Sequence, residues 1–179
     1  MRAPERIETT RLLLRKPVLA DAEAVFARYA SDPEVTRRLG WPRHRSPDDT
    51  RAFLQFSDNE WSGWPAGPYL VERRADGALL GGTGLAFETP YRAATGYVLA
   101  RDAWGQGYAT EALRAVLDVA PHTGLRRLYA LCHVDHPASA RVLEKCGFIR
   151  EAVLRRHSVF PNLSPAEPCD VLCYARVFA

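Results

Sequence analysis

The chain has no apolar run approaching the ~20 residues that a helix needs to cross a membrane, and its opening residues Met1-Arg2-Ala3-Pro4-Glu5-Arg6 hold no hydrophobic signal core. No membrane partner is expected, and the cytoplasm is the expected location. Strong charge is missing too. The formal net charge is +3 and the pI about 8.8, with no long basic tail, so a nucleic-acid partner is not implied. The four cysteines, Cys132, Cys146, Cys169 and Cys173, contain no Cys-x-x-Cys pair. Cys169 and Cys173 share one face of a strand by its period of two. Free thiols are therefore expected, with no metal and no disulfide. Neither an internal repeat nor a linker divides the sequence. Its 179 residues read as one domain, 1–179, long enough to bury a proper core.

What the chain does have centres on Trp104-Gly105-Gln106-Gly107-Tyr108-Ala109-Thr110-Glu111-Ala112-Leu113. It follows the strand-like run Tyr97-Val98-Leu99-Ala100. Its apolar residues Ala109, Ala112, Leu113, Val116, Leu117 and Ala120 then fall on one stripe of an amphipathic helix. At such a strand–turn–helix junction the first helical N–H groups have no internal partner, and the positive end of the helix dipole stands behind them. Phosphate suits that geometry. Gly105 and Gly107 let the backbone approach a diphosphate with no Cβ in the way, and Ala109 keeps the entrance narrow.

Two phosphate readings fail on their residues. A nucleoside-triphosphate loop needs Lys-Ser or Lys-Thr after its last glycine, but Gly107 precedes Tyr108 and Ala109; a dinucleotide fingerprint needs a glycine where Thr110 stands. What remains resembles the Arg/Gln-x-x-Gly-x-Gly/Ala pyrophosphate loop of the GCN5-related N-acetyltransferases, with Gly107 and Ala109 on its small positions and Trp104 departing at the Arg/Gln position. The form Trp-Gly-x-Gly-Tyr-Ala-Thr-Glu-Ala is similar to the branch that acetylates ribosomal-protein N-termini, as is the opening Thr9-Thr10-Arg11-Leu12. A second landmark, His136-Pro137-Ala138-Ser139-Ala140-Arg141-Val142-Leu143-Glu144-Lys145-Cys146-Gly147-Phe148, resembles the family's Asn-x-Ala-Ser-x-Arg-Val-Leu-Glu-Lys-x-Gly-Phe, with His136 in place of Asn. The likeness spans nearly the whole chain.

It implies an α/β (α+β) domain with a mixed, mostly antiparallel sheet of six to seven strands, splayed at the middle and flanked by about four helices. The pattern itself gives strands over 7–16, 69–73, 78–87, 95–100, 125–133, 151–160 and 170–178. Helices are expected from Asp21, from Pro33 to about Gly40, from Ser46 to about Trp61 with Phe53, Leu54 and Phe56 facing inward, after Gly107, and after His136. Asp76-Gly77 reads as a hairpin turn, residues 81–84 as close packing or a bulge, and Pro161 to Pro168 as a loop.

The resemblance also implies acetyl-CoA as co-substrate and direct acetyl transfer to a primary amine, a protein N-terminus or a small molecule. The backbone of Tyr97, Val98 and Leu99 would pair with the pantetheine, an N–H near Leu99 would bind the thioester oxygen, and the amides from Gln106 to Thr110 would hold the pyrophosphate. His136 would meet the pantetheine through one donor and one acceptor. Ser139 is the candidate acid for the leaving thiol, since Ile149 stands where relatives carry an alternative Tyr. No carboxylate occupies the usual base position, filled by Ala94 and Thr95; Glu88, His133 and His157 remain, as does a water chain without a single base. Trp41, His44 and Tyr69 are the acceptor-site candidates. Arg37, Arg38, Arg43 and Arg45 hint at an anionic acceptor or form a solvated lip. A longer acyl-CoA, or a silent acyl-CoA sensor, is the alternative reading. Monomer and homodimer both remain open.

Overall fold

In the computed structural model, which describes residues 1–179, the first strand is two. Arg6–Glu8 (β1) pairs antiparallel with Leu12–Arg15 (β2), Ile7 standing opposite Leu14. Thr9 breaks the run. Its N–H donates to the Leu12 carbonyl at 2.9 Å, and its Oγ1 accepts the Leu12 N–H at 2.9 Å, closing a tight turn over Thr10 and Arg11. This split gives eight strands where six to seven were expected.

The remaining strands are Pro68–Arg73 (β3), Leu79–Thr89 (β4), Arg92–Leu99 (β5), Arg127–His133 (β6), Ile149–Phe160 (β7) and Ser164–Val177 (β8), in the sheet order β1-β2-β3-β4-β5-β6-β8-β7. Every neighbour is antiparallel except β5 and β6. Their parallel ladder covers only Arg92–Ala94 against Arg127–Tyr129, although both strands continue for several residues. Beyond Ala94 they separate. That gap is the splay implied by the family resemblance.

The helices are Ala22–Val25 (α1), Pro33–Thr36 (α2), Pro47–Gly63 (α3), Tyr108–Val119 (α4) and Pro137–Lys145 (α5). Asp32 caps α2 by accepting the Glu34 and Val35 N–H groups, with Pro33 at the first helical position. The Asp49 carboxylate reaches back to the Arg45 and Ser46 N–H groups ahead of α3. Alternation along β3 divides the interior. Tyr69 and Val71 join the large core with α4 and α5, whereas Leu70 joins a smaller cluster with Val25, Tyr29 and Val35 on the opposite face. In α3 Leu54 turns inward as expected, but Phe56 is 52% exposed, because it lies two residues round the helix from Leu54. The Pro-rich stretch is likewise mostly strand. Only residues 161–163 form the turn, while Pro165 and Pro168 sit in the part of β8 that extends beyond its pairing with β6, where a missing N–H costs no ladder bond on that side.

The glycines of β4 serve close packing. A Cβ on Gly81 would stand 1.9 Å from the Val98 carbonyl oxygen, and the register of β3 against β4 shifts beside it. G81A is therefore expected to lower stability by about 3 kcal/mol and the melting temperature by roughly 6–12 °C. Thermal and urea unfolding of the two proteins check this; equal midpoints would show that β5 yields freely.

Candidate active site

Helix α4 opens on backbone that only glycine adopts without strain. Gly105 and Gly107 have φ of 73° and 80°, and Gly107 is the residue from which the helix springs. The main-chain N–H groups of residues 105–110 have no acceptor anywhere in the protein, and residues 105–107 are exposed. A fan of unpaired donors thus faces solvent at the positive end of a helix, the arrangement that a diphosphate satisfies.

The fan is braced from the far end of the chain. Glu111, one turn into α4, accepts the Thr9 hydroxyl at 2.6 Å, the Arg11 N–H at 2.9 Å and Arg11 Nε at 2.7 Å. Arg11 also donates to the Gln106 carbonyl at 3.0 Å and lies over the Tyr108 ring, 4.5 Å from its centre. These contacts hold the Glu111 carboxyl below its usual range against the opposing pull of burial. They also bring one guanidinium to the loop: its Nη2 is 3.5 Å from where a Gly107 Cβ would be. No sequence signal marked this pairing, because its partners are a hundred residues apart.

The second wall is β5. Its ladder with β4 is fixed by the Ala100 N–H donating to the Leu80 carbonyl at 2.7 Å, with Val98 opposite Gly82. Antiparallel alternation then turns the N–H and C=O groups of Tyr97 and Leu99 away from β4, into the gap left by β6. The Leu99 carbonyl is taken by the Trp104 indole N–H at 2.8 Å. The residue that departs from the phosphate-loop pattern thus ties the loop to the strand while staying 48% exposed.

Across the gap stands the start of α5. The Tyr97 hydroxyl donates to the Ser139 carbonyl at 2.8 Å and lies 2.9 Å from Ser139 Oγ. Burial raises the Tyr97 pKa well above its ordinary value, so its proton stays on near neutrality. Sequence reasoning implicated only the backbone of Tyr97, and no signal there marked its hydroxyl. Cys132, on β6, also neighbours Ser139, and burial pushes its thiol up to about 11. His136 precedes α5, and burial followed by the charge of Arg38 lowers its pKa, so that the ring is neutral at neutral pH.

The lip after α2 closes the third side. Asn162, in the β7–β8 turn, donates to the Thr36 and Trp41 carbonyls, each at 2.9 Å, and accepts the Arg43 N–H at 2.8 Å. Trp41 packs against His44 with ring centres 5.1 Å apart, and His44 Nδ1 bonds Thr50 Oγ1 at 2.8 Å. Phe160, just before the turn, meets His133 edge-on at 5.1 Å.

Four of the named candidates are placed otherwise. Tyr69 is 1% exposed, its hydroxyl donating to the Pro4 carbonyl at 2.7 Å and its ring set edge-on to Trp61, so it belongs to the core and can meet no acceptor. Glu88 is paired with Arg92 at 2.8 Å and accepts the Tyr129 hydroxyl, at the closed end of the β5–β6 ladder. Its rung is about 20 Å along the strand from Leu99. His133 is buried, and its Nδ1 accepts the Asp135 N–H at 3.0 Å. Its Nδ1 lone pair is therefore engaged in a structural hydrogen bond. His157 is exposed on β7, bonded to Ser158. No group of three or more His, Cys, Asp or Glu side chains is arranged to hold a metal ion, and no helix is long and apolar enough to cross a membrane.

The loop, the strand edge and the hydroxyls fit CoA: unpaired amides for the diphosphate, free backbone for the pantetheine amides. R11M, which removes the guanidinium but keeps much of the stem, is expected to raise the KM for acetyl-CoA by roughly 5- to 20-fold with kcat little changed. Steady-state kinetics at saturating acceptor check it; an unchanged KM would remove Arg11 from the site.

Comparison with known proteins agrees with this geometry. Residues 11–149 match the acetyltransferase (GNAT) domain family. The chain is similar to the uncharacterized N-acetyltransferase YoaA of Bacillus subtilis, with 32% identity over 89% of this chain and 90% of that one. Among solved structures it resembles a GNAT-family acetyltransferase from Bacillus anthracis, with 28% identity, a TM-score of 0.83, and 96% and 98% of the two chains covered. It also resembles RimL, a ribosomal L7/L12 alpha-N-protein acetyltransferase solved in complex with coenzyme A, with 25% identity, a TM-score of 0.86, and 97% and 98% covered. The diphosphate-ready helix mouth, the splayed strands and the matched sequence together place this chain in the GNAT acetyltransferase family, as an acetyl-CoA-dependent N-acetyltransferase.

Proposed function

We propose that the acceptor is the α-amine of a protein N-terminus, and that Ser139, supported by Tyr97, returns the proton to the leaving thiol. The observation that carries this reading is the Ser139 hydroxyl facing Tyr97 across the β5–β6 gap, 2.9 Å from its Oη. The acceptor class is supported by the likeness to RimL, a ribosomal L7/L12 alpha-N-protein acetyltransferase.

Acetyl-CoA supplies the activated acetyl group. The amine nitrogen attacks the thioester carbonyl, and the Leu99 N–H, aimed into the gap, stabilises the developing oxyanion. As the C–N bond forms and the C–S bond breaks, the thiolate takes the Ser139 proton. Tyr97, kept protonated by its burial, turns its hydroxyl from the Ser139 carbonyl to Oγ and stabilises the alkoxide until Ser139 takes up, through solvent, the proton that the nitrogen sheds as the amide forms. The ammonium proton leaves to solvent before attack, since His133 has its lone pair engaged and Glu88 lies at the closed end of the ladder. No cysteine is needed as a nucleophile, and burial holds Cys132 in the thiol form.

S139A is expected to lower kcat by about 10²- to 10³-fold and Y97F by about 10-fold, with the double variant no worse than S139A because the two act as one unit. E88Q should retain near-normal kcat. Release of free CoA, followed with a thiol reagent in the presence of Ser-initiated peptides, and peptide mass reporting one added acetyl group, check these values. A fully active S139A would reject the acid assignment. A wild-type protein that acetylates polyamines but no peptide would reject the acceptor.

A further inference from the structure

Several arginines of the fold are matched by carboxylates: Arg15 with Asp21 and Glu72, Arg28 with Asp102, Arg101 with Asp32, each within 3 Å. On the lip they are not. Arg37, Arg38, Arg43 and Arg45 form no ion pair, and their guanidiniums make no hydrogen bond within the protein; only the main-chain N–H groups of Arg43 and Arg45 are bonded. Arg38 differs from its exposed neighbours in being half-buried, with its Nε fully enclosed and without an acceptor. A charged donor left unsatisfied in that way is costly, and such groups call for an explanation in what binds there.

The position of Arg38 is fixed on both sides. Asn162 grips the Thr36 and Trp41 carbonyls that flank it, which locks its segment to the β7–β8 turn. Phe160 of the same hairpin packs on His133, and the His136 N–H, donating to the His133 carbonyl at 2.9 Å, leads from there into α5. The charge of Arg38 is felt at His136, three residues before Ser139. These ties place Arg38 toward the α5 side of the cleft, whereas at the phosphate loop Arg11 is engaged by Glu111 and Gln106.

We propose that Arg38 binds a carboxylate carried by the acceptor a few bonds from its reacting amine, so that the enzyme selects N-terminal peptides with Asp or Glu near the first residue. A planar guanidinium with free donors suits a carboxylate in bidentate fashion. This rests on the peptide-acceptor reading above. The same carboxylate chemistry could come from a free amino acid, and the test separates the two sources.

The experiment compares kcat/KM for the peptide amides Ser-Asp-Ala-NH2 and Ser-Asn-Ala-NH2, and for free serine, on the wild-type enzyme, R38M and R38K. Wild type is expected to favour the Asp peptide over the Asn peptide by roughly 10- to 100-fold. R38M should abolish that ratio and R38K restore only part of it, with CoA affinity by calorimetry and the circular dichroism spectrum unchanged. Equal wild-type rates on the two peptides, the outcome if an ordered water alone satisfies Arg38, would overturn the inference and leave the peptide reading standing. An Arg38-dependent preference for free serine over both peptides keeps the carboxylate contact and assigns it to the amino acid's own carboxyl. Failure on both peptides and on serine, with acetylation of a polyamine, would overturn the acceptor reading and this inference with it.

Discussion

The structure depends on main-chain donors that the protein leaves unused. Buried backbone N–H groups are almost always paired, so a run of them without acceptors, at residues 105–110, is tolerated only because the loop stays in water until a ligand arrives. Two devices keep it open. Positive φ at Gly105 and Gly107 prevents the helix from extending backwards and consuming its own donors. The clasp of Thr9 and Arg11 on Glu111 holds the first turn of α4 against the β1–β2 turn, so the mouth cannot fold inward. The N-terminal hairpin in this sense braces the loop, though it contributes no donor from its own backbone.

The second requirement is a strand with one free edge. β5 is held along its length by β4, and the absence of a side chain at Gly81 lets the two backbones approach closely. Its other edge is paired only at Arg92–Ala94. A free edge in a soluble sheet invites unwanted pairing, and here it is covered. Trp104 satisfies the Leu99 carbonyl, and Tyr97 crosses to α5 through its hydroxyl. Tyr97 thus bridges the gap toward Ser139, while Trp104 caps the strand edge at the loop end.

Much of this was legible in the residues. The phosphate-loop helix, the Asp76-Gly77 turn, the close-packed glycines of β4 and the Ser139 helix start all follow from short-range rules, and each lies where the pattern put it. What the sequence could not show were partners distant along the chain: Glu111 with Thr9 and Arg11, Asn162 with the lip, and the Tyr97 hydroxyl with Ser139. Tyr69 misled for a related reason. A tyrosine opening a strand carries no mark of which face the strand will bury, and its neighbour Leu70 took the other one. Residues 7–16 read as one strand because the bonds that break it at Thr9 come from a hydroxyl that alternation rules do not count.

The arrangement of charge also accounts for the missing carboxylate base. An acceptor amine must lose a proton before it can attack, and relatives with a glutamate beside the thioester have a group to take it. Here that place holds Ala94 and Thr95, and the nearest alternatives are engaged in structural bonds. A rim of unmatched arginines acts on the same equilibrium from the other direction. Like charge nearby disfavours an ammonium and lowers its pKa, and an N-terminal α-amine begins at only about 8 against about 10.4 for a lysine side chain. A modest repulsion then leaves a sizeable neutral fraction of the α-amine at neutral pH, while a lysine stays protonated. If the acceptor is the N-terminal amine proposed above, the lip favours it over side-chain amines by electrostatics, and proton removal can be left to solvent.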